Sequence, residues 1–263
     1  MSGRLYRAGI VSSRSLRTLL LAGVAALVLS GCASNRASLN STDFSALSPT
    51  DAQATLSELA GRYKQKPKDK VAAIYYAAAL RANGQPEQAV AVLEAGLGAN
   101  GNDPDLRIAY AKALASAGRF EQALNVVDGT INPATPDWSA LSVKGAVLDQ
   151  MGRNEEARAH YKQALTIAPE EPSLYANLGL SYAMTSDLAE AEAQLRRAVK
   201  MRRATSQVRQ NLALIVGLQG RFDEARTLFA AELSPDQVEA NMAYIRALLT
   251  QQNRWDVIKG AEG

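Results

Sequence analysis

A period of 34 residues constrains this chain more than any other feature. From Gly152, steps of 34 reach Gly118 and Gly84 upstream and Ser186 and Gly220 downstream. Five residues after each of these stands an alanine: Ala89, Ala123, Ala157, Ala191 and Ala225. Seven residues before each stands another small residue: Ala77, Ala111, Gly145, Gly179 and Ala213. Glycine fits the left-handed turn that closes a helix, and small side chains let two helix axes approach closely. The clearest copy runs from Trp138 to Glu171. There Leu141, Gly145 and Leu148 share one helical face, and Ala157, Tyr161, Ala164 and Leu165 share another. Asn154 reads as the N-cap of the second helix, with Glu155 and Glu156 in its first turn, and Pro169 stops it. One such hairpin cannot cover its own apolar side, so the copies must cover one another.

This pattern resembles the tetratricopeptide repeat (TPR), carried best by W-S-A-L-S-V-K-G-A-V-L with A-x3-Y-x2-A-x4-P over Trp138–Pro169, and by Y-A-N-L-G-L-S-Y over Tyr175–Tyr182. The resemblance implies an all-α, right-handed superhelix of stacked antiparallel hairpins. Five full repeats are expected at about 70–103, 104–137, 138–171, 172–205 and 206–239, after an N-terminal half repeat whose closing proline is Pro67. Asn241–Gln251 reads as a capping helix, with a turn at Asn253–Trp255 and Trp255 and Ile258 folded back on the last hairpin. The solenoid is assigned to residues 50–259. Thr130 and Glu232 replace the usual small residue, and Arg203 replaces the usual proline, which predicts less regular second helices there.

Ahead of the repeats, residues 1–31 read as a leader. Arg4, Arg7, Arg14 and Arg17 form a basic region, and the apolar run Thr18–Leu29 spans 12 residues, against the ~20 a helix needs to cross a bilayer. Leu29-Ser30-Gly31-Cys32 resembles the bacterial lipobox. That resemblance implies a diacylglyceryl group and an N-acyl chain on Cys32, with two or more chains giving stable anchoring. The other reading is an accidental cysteine behind an ordinary signal peptide or signal anchor. Cys32 is the one cysteine of the chain, so neither a disulfide framework nor a thiolate metal site can form. Ala33, where an aspartate would retain the protein at the inner membrane in enterobacterial lipoproteins, implies the outer membrane, facing the periplasm of a Gram-negative bacterium. Residues 32–49, rich in Ser and Asn, read as a flexible tether.

The formal charge of +3 belongs to that leader: its four arginines removed, 25 basic residues face 26 acidic ones. Basic side chains are interspersed with acids, which argues against nucleic acid. The lone histidine, His160, lies between Arg158 and Lys162 without a catalytic companion. Glu155-Glu156 and Glu170-Glu171 sit where helix capping explains them, and no phosphate, nucleotide or nucleophile motif occurs. These features describe a binding protein rather than an enzyme, with no cofactor beyond the lipid and no small-molecule substrate.

In TPR arrays the first helices line a concave groove. That register places Ile74, Tyr75 and Arg81 there, then Ile108 and Lys112, then Asp149, Asn177, Leu180 and Met184, and finally Gln210, Asn211, Leu214 and Leu218. Asn177 and Asn211, one repeat apart, either contact a bound segment's backbone or simply face solvent. With Leu180 and Leu214 on the open face, glutamate at both is expected to abolish binding and spare the melting temperature.

The closing stretch Asn211–Gln251, with N-L-A-L, G-L-Q-G-R-F-x-E-A, E-L-S-P and E-A-N-x-A-Y-x-R-A-L-L, is similar to the TadD family, TPR lipoproteins of the tight-adherence (Tad/Flp) pilus system. The resemblance implies a pilotin-like factor whose partner is the outer-membrane secretin. An adaptor for other envelope biogenesis (outer-membrane protein insertion or peptidoglycan hydrolase recruitment) shares the same anchor and groove. An enzyme on a TPR scaffold is a third reading.

Overall fold

The computed structural model describes the backbone of residues 49–261 and the side chains of 51–251. The leader, the lipobox ending at Cys32 and the tether up to Ser48 lie outside these residues, as do the side chains of Trp255 and Ile258.

Twelve helices and no strand make up the described chain. Helix α1 (Pro49–Gln65) precedes five hairpins. They are α2 (Lys70–Ala82) with α3 (Pro86–Asn100), α4 (Pro104–Ser116) with α5 (Phe120–Asp128), α6 (Trp138–Gln150) with α7 (Asn154–Ile167), α8 (Pro172–Met184) with α9 (Leu188–Val199), and α10 (Ser206–Leu218) with α11 (Phe222–Ala230). Helix α12 (Pro235–Ala261) closes the array. Both the first helices and the second helices begin at 34-residue intervals, at 70, 104, 138, 172 and 206 and at 86, 120, 154, 188 and 222.

Two repeated devices set those boundaries. At each first-helix N-terminus an acid or threonine caps free backbone amides: Asp69, Asp103, Asp137, Glu171 and Thr205 accept from N–H groups two or three residues on. At each C-terminus the residue following the cap takes a positive φ: Gly84, Gly118, Gly152, Ser186 and Gly220, between 66° and 83°. The next N–H then reaches back to the carbonyls of Leu80, Leu114, Leu148, Tyr182 and Val216 at 2.8–3.3 Å, the closing bond of a Schellman turn. The chain is thereby reversed identically five times.

The alanines that follow each turn (Ala89, Ala123, Ala157, Ala191, Ala225) are all fully buried, at the crossing of the two helices of a hairpin. Each second helix also packs on the first helix of the next repeat, and successive first helices touch one another, so the core is a continuous ribbon. Helices α5 and α11, of nine residues each, are the shortest, and they belong to the repeats carrying Thr130 and Glu232. Glu232 is drawn into an ion pair with Arg209, and Thr130 Oγ1 donates to the carbonyl of Val126. Arg203, in place of proline, pairs with Glu171 at 3.2 Å.

Two local expectations are corrected. Arg153, not Asn154, occupies the N-cap of α7 and makes no side-chain cap; it forks onto Glu156 at 2.7 and 2.8 Å, while Asn154 turns back to Asp149. The turn expected at Asn253–Trp255 is absent, because α12 continues through it to Ala261. No glycine or proline stands in that turn register, and Gln251–Lys259 offers nothing to break a helix.

Candidate functional site

The first helices present the residues that register assigned to a groove. Tyr75, Arg81, Met184, Gln210 and Leu218 are half-buried, whereas Ile74, Ile108, Lys112, Asp149, Asn177, Leu180, Asn211 and Leu214 are buried. Several join one repeat to the next. Arg81 Nε donates to Ser116 Oγ at 3.0 Å, and Asn177 Nδ2 donates to Ser142 Oγ at 3.1 Å. Leu180 rests on Ala146 of the preceding first helix. Leu214 belongs to the cluster that holds Phe229 and Met242. Glutamate at Leu180 or Leu214 would thus bury a charge among apolar side chains, so the expectation of an unchanged melting temperature is overturned.

Asp149 departs furthest from a groove-lining role. Its side chain is 1% exposed. Oδ1 accepts from Ser181 Oγ of α8 at 2.7 Å and from Asn154 Nδ2 of α7 at 2.8 Å, and Oδ2 accepts from the Tyr161 hydroxyl at 3.0 Å. Burial pushes its carboxyl up to about 6, against the pull of those three donors and of the Arg158 guanidinium.

Arg158 was passed over in the sequence. It is buried, its guanidinium lies 4.8 Å from the Tyr182 ring centre, and Nη1 donates to the Ser181 carbonyl and Thr185 Oγ1, each at 3.1 Å; Glu155 pairs with Nη2. It ties the third hairpin to the end of α8. A signal existed in the pairing of Glu155 with Arg158 one turn apart, but such pairs are common on exposed faces. His160 is half-buried on α7, and burial followed by the Lys144 charge lowers its proton affinity.

A shallow cleft opens where α10 meets the capping helix, lined by Gln210, Asn211, Leu214, Phe229, Asn241 and Tyr244. Tyr244 is 39% exposed. Three carboxamides, two aromatic rings and a leucine line it, and no charged side chain does.

Stacked hairpins of constant period, with a cap at the carboxyl end, define a helical-repeat scaffold for holding other proteins. Tetratricopeptide-repeat family models match residues 80–143, 145–186, 173–208 and 207–231. The chain belongs to the tetratricopeptide-repeat proteins. No curated protein matches the sequence. Among solved structures, a thermophilic TPR protein of Thermus thermophilus superposes with a TM-score of 0.60 at 22% identity, over 68% of this chain and 100% of that one. A tetratricopeptide repeat protein of Parabacteroides merdae gives 0.59 at 16% identity, over 76% and 77% of the two chains. PilW, described as a widely conserved type IV pilus biogenesis factor, gives 0.52 at 18% identity, over 77% and 91%. At these identities the likeness is one of fold.

Proposed function

We propose that this TPR array is a non-enzymatic outer-membrane lipoprotein that binds partner proteins and assists assembly of the Tad/Flp (type IVb) pilus, as a pilotin for the secretin. Cys32, behind Leu29, Ser30 and Gly31, carries the diacylglyceryl and N-acyl chains, and the repeats face the periplasm. The observation that carries the reading is the closing stretch Asn211–Gln251. It resembles the TadD family in sequence, and in the structure it builds most of α10, all of α11 and the first part of the cap, around the cleft at Asn211 and Tyr244. PilW shares the architecture and lends the reading a precedent of fold, nothing finer. The half-buried Gln210 and Leu218 belong to the surface that meets the partner.

The test is a chromosomal deletion complemented by the wild type or by Cys32→Ala. The deletion is expected to lose secretin multimers from the outer membrane, and Cys32→Ala to leave the repeats folded yet released from membranes or unprocessed. Normal secretin multimers in the deletion strain, with barrel assembly or peptidoglycan cleavage impaired instead, would replace the pilus reading by that of an envelope-biogenesis adaptor.

A further inference from the structure

Asp149 closes the junction between the third and fourth repeats. Its carboxylate gathers Tyr161 and Asn154 from α7 and Ser181 from α8, so one buried group ties its own helix, α6, to two others across two repeats. Every partner donates to it, and it has no donor to return while ionised. From α7 it also faces Arg158, itself paired with Glu155. From α8 the cluster meets Tyr182, under the Arg158 guanidinium. Helices α4 and α5 also pack on α6; α4 carries the buried Lys112, and α5 carries Asp128, which Lys144 engages at 2.7 Å.

We propose that Asp149 is a proton-operated latch between the third and fourth repeats, holding α6 against α8 more firmly when protonated than when ionised. A protonated carboxyl loses its buried charge and can itself donate to one of its three partners, while its other lone pairs still accept. Ionised, it keeps all three donors but bears the cost of a charge out of water. The folded carboxyl titrates near 6, above the 3.8 of an exposed one. The joint is therefore strongest in acid and loosens as the pH rises through the folded value. Because α6 and α8 are neighbouring first helices, the latch sets their relative placement on the face that meets a partner. The inference holds whatever that partner is.

Hydrogen exchange on the whole mature protein, corrected for the intrinsic pH dependence of exchange, tests it. Between pH 5 and 7.5 the opening of α8 near Ser181 is expected to rise by about tenfold more than that of α2 or α4, and Asp149→Asn is expected to flatten that difference. An α8 response no larger than that of α2, or one that Asp149→Asn leaves intact, overturns the latch. Should Asp149→Asn fail to fold, Ser181→Ala replaces it. That variant removes a donor that favours the ionised carboxylate, so burial raises the proton affinity of Asp149 further; the α8 response to pH is expected to grow, and a response no larger than the parent's contradicts the proposal.

Discussion

The Tyr161 ring lies over the α-carbon of Gly145, so close that a β-carbon there would fall 2.6 Å from Cε1. One turn further along α6, Asp149 accepts the hydroxyl of the same tyrosine at 3.0 Å. The ring is thus fixed between a missing side chain and a buried carboxylate, and it is itself fully buried. Alanine at 145 gains up to ~1 kcal/mol in helix propensity but forces a rigid ring to move, which costs ~1–3 kcal/mol. Gly145→Ala is therefore expected to lower the melting temperature. Gly61→Ala, in α1 with nothing within 4 Å of the new methyl, is expected to raise stability by ~0.5–1 kcal/mol. Thermal melts of the two variants decide the matter; a stabilised Gly145→Ala would refute the packing.

Ala157 and Ala191 sit fully buried at the crossing of their hairpins, and at the latter crossing the Ala191 carbonyl lies 2.9 Å from where a β-carbon on Gly179 would be. Leucine at either alanine should overpack the crossing and cost on the order of 1–3 kcal/mol. Denaturant midpoints equal to the parent's would contradict the register.

Ser186 holds φ at 66° where the four other turns hold glycine. A left-handed conformation costs a non-glycine residue ~1–2 kcal/mol, partly offset by glycine's larger entropy when unfolded. Ser186→Gly is therefore expected to stabilise the protein, by ~0.5–1 kcal/mol, as read by urea unfolding. A loss of stability would mean that the serine hydroxyl contributes more than the backbone does.

Glu192 joins the last two repeats. Arg221 holds its carboxyl down to about 2, with Arg196 and Gln219 adding to the effect against a modest burial penalty. With the folded value below the ordinary 4.5, its contribution is present above pH 4.5 and is lost as the pH falls through about 2. The partners are part-exposed, so screening limits the contribution to ~1 kcal/mol or less. Glu192→Gln is expected to cost about that much at pH 7 and to reduce the acid loss between pH 4.5 and 2. Parallel stability–pH curves for variant and parent would dismiss the bridge.

Leu180→Glu buries a carboxylate against Ala146; it should cost ~2 kcal/mol or more of stability and lower the melting temperature sharply. A melt matching the parent's would restore an open face at this position.

The stacking was legible because it rests on residues with one physical use: glycine at a left-handed turn, and alanine where two helices cross. Residues 84, 118, 152 and 220 carry that message without help from the rest of the chain. The aspartate caps at 69, 103 and 137 obey the same period and went unread, since an aspartate before a helix is ordinary until three align, and only Glu171 at the next step was read as a cap. The groove was harder. Register tells which face of a helix turns inward, yet not which of its polar residues the neighbouring helix satisfies. Asp149 and Asn177 could have met a ligand, and instead Ser181 and Ser142, each a repeat or so away in sequence, meet them. The helix running past Asn253 shows the reverse case: the period continued on paper after the residues that enforce it had ceased.

The most direct test places a photo-crosslinking amino acid at Gln210 or Leu218, and at the outward-facing Ile167 and Phe222 as controls, in the native bacterium. The account predicts crosslinks to the secretin from the first pair and none from the second. Crosslinks to the secretin from Ile167 and Phe222 alone, or from Gln210 and Leu218 to a barrel-assembly or peptidoglycan-hydrolase component, would contradict it.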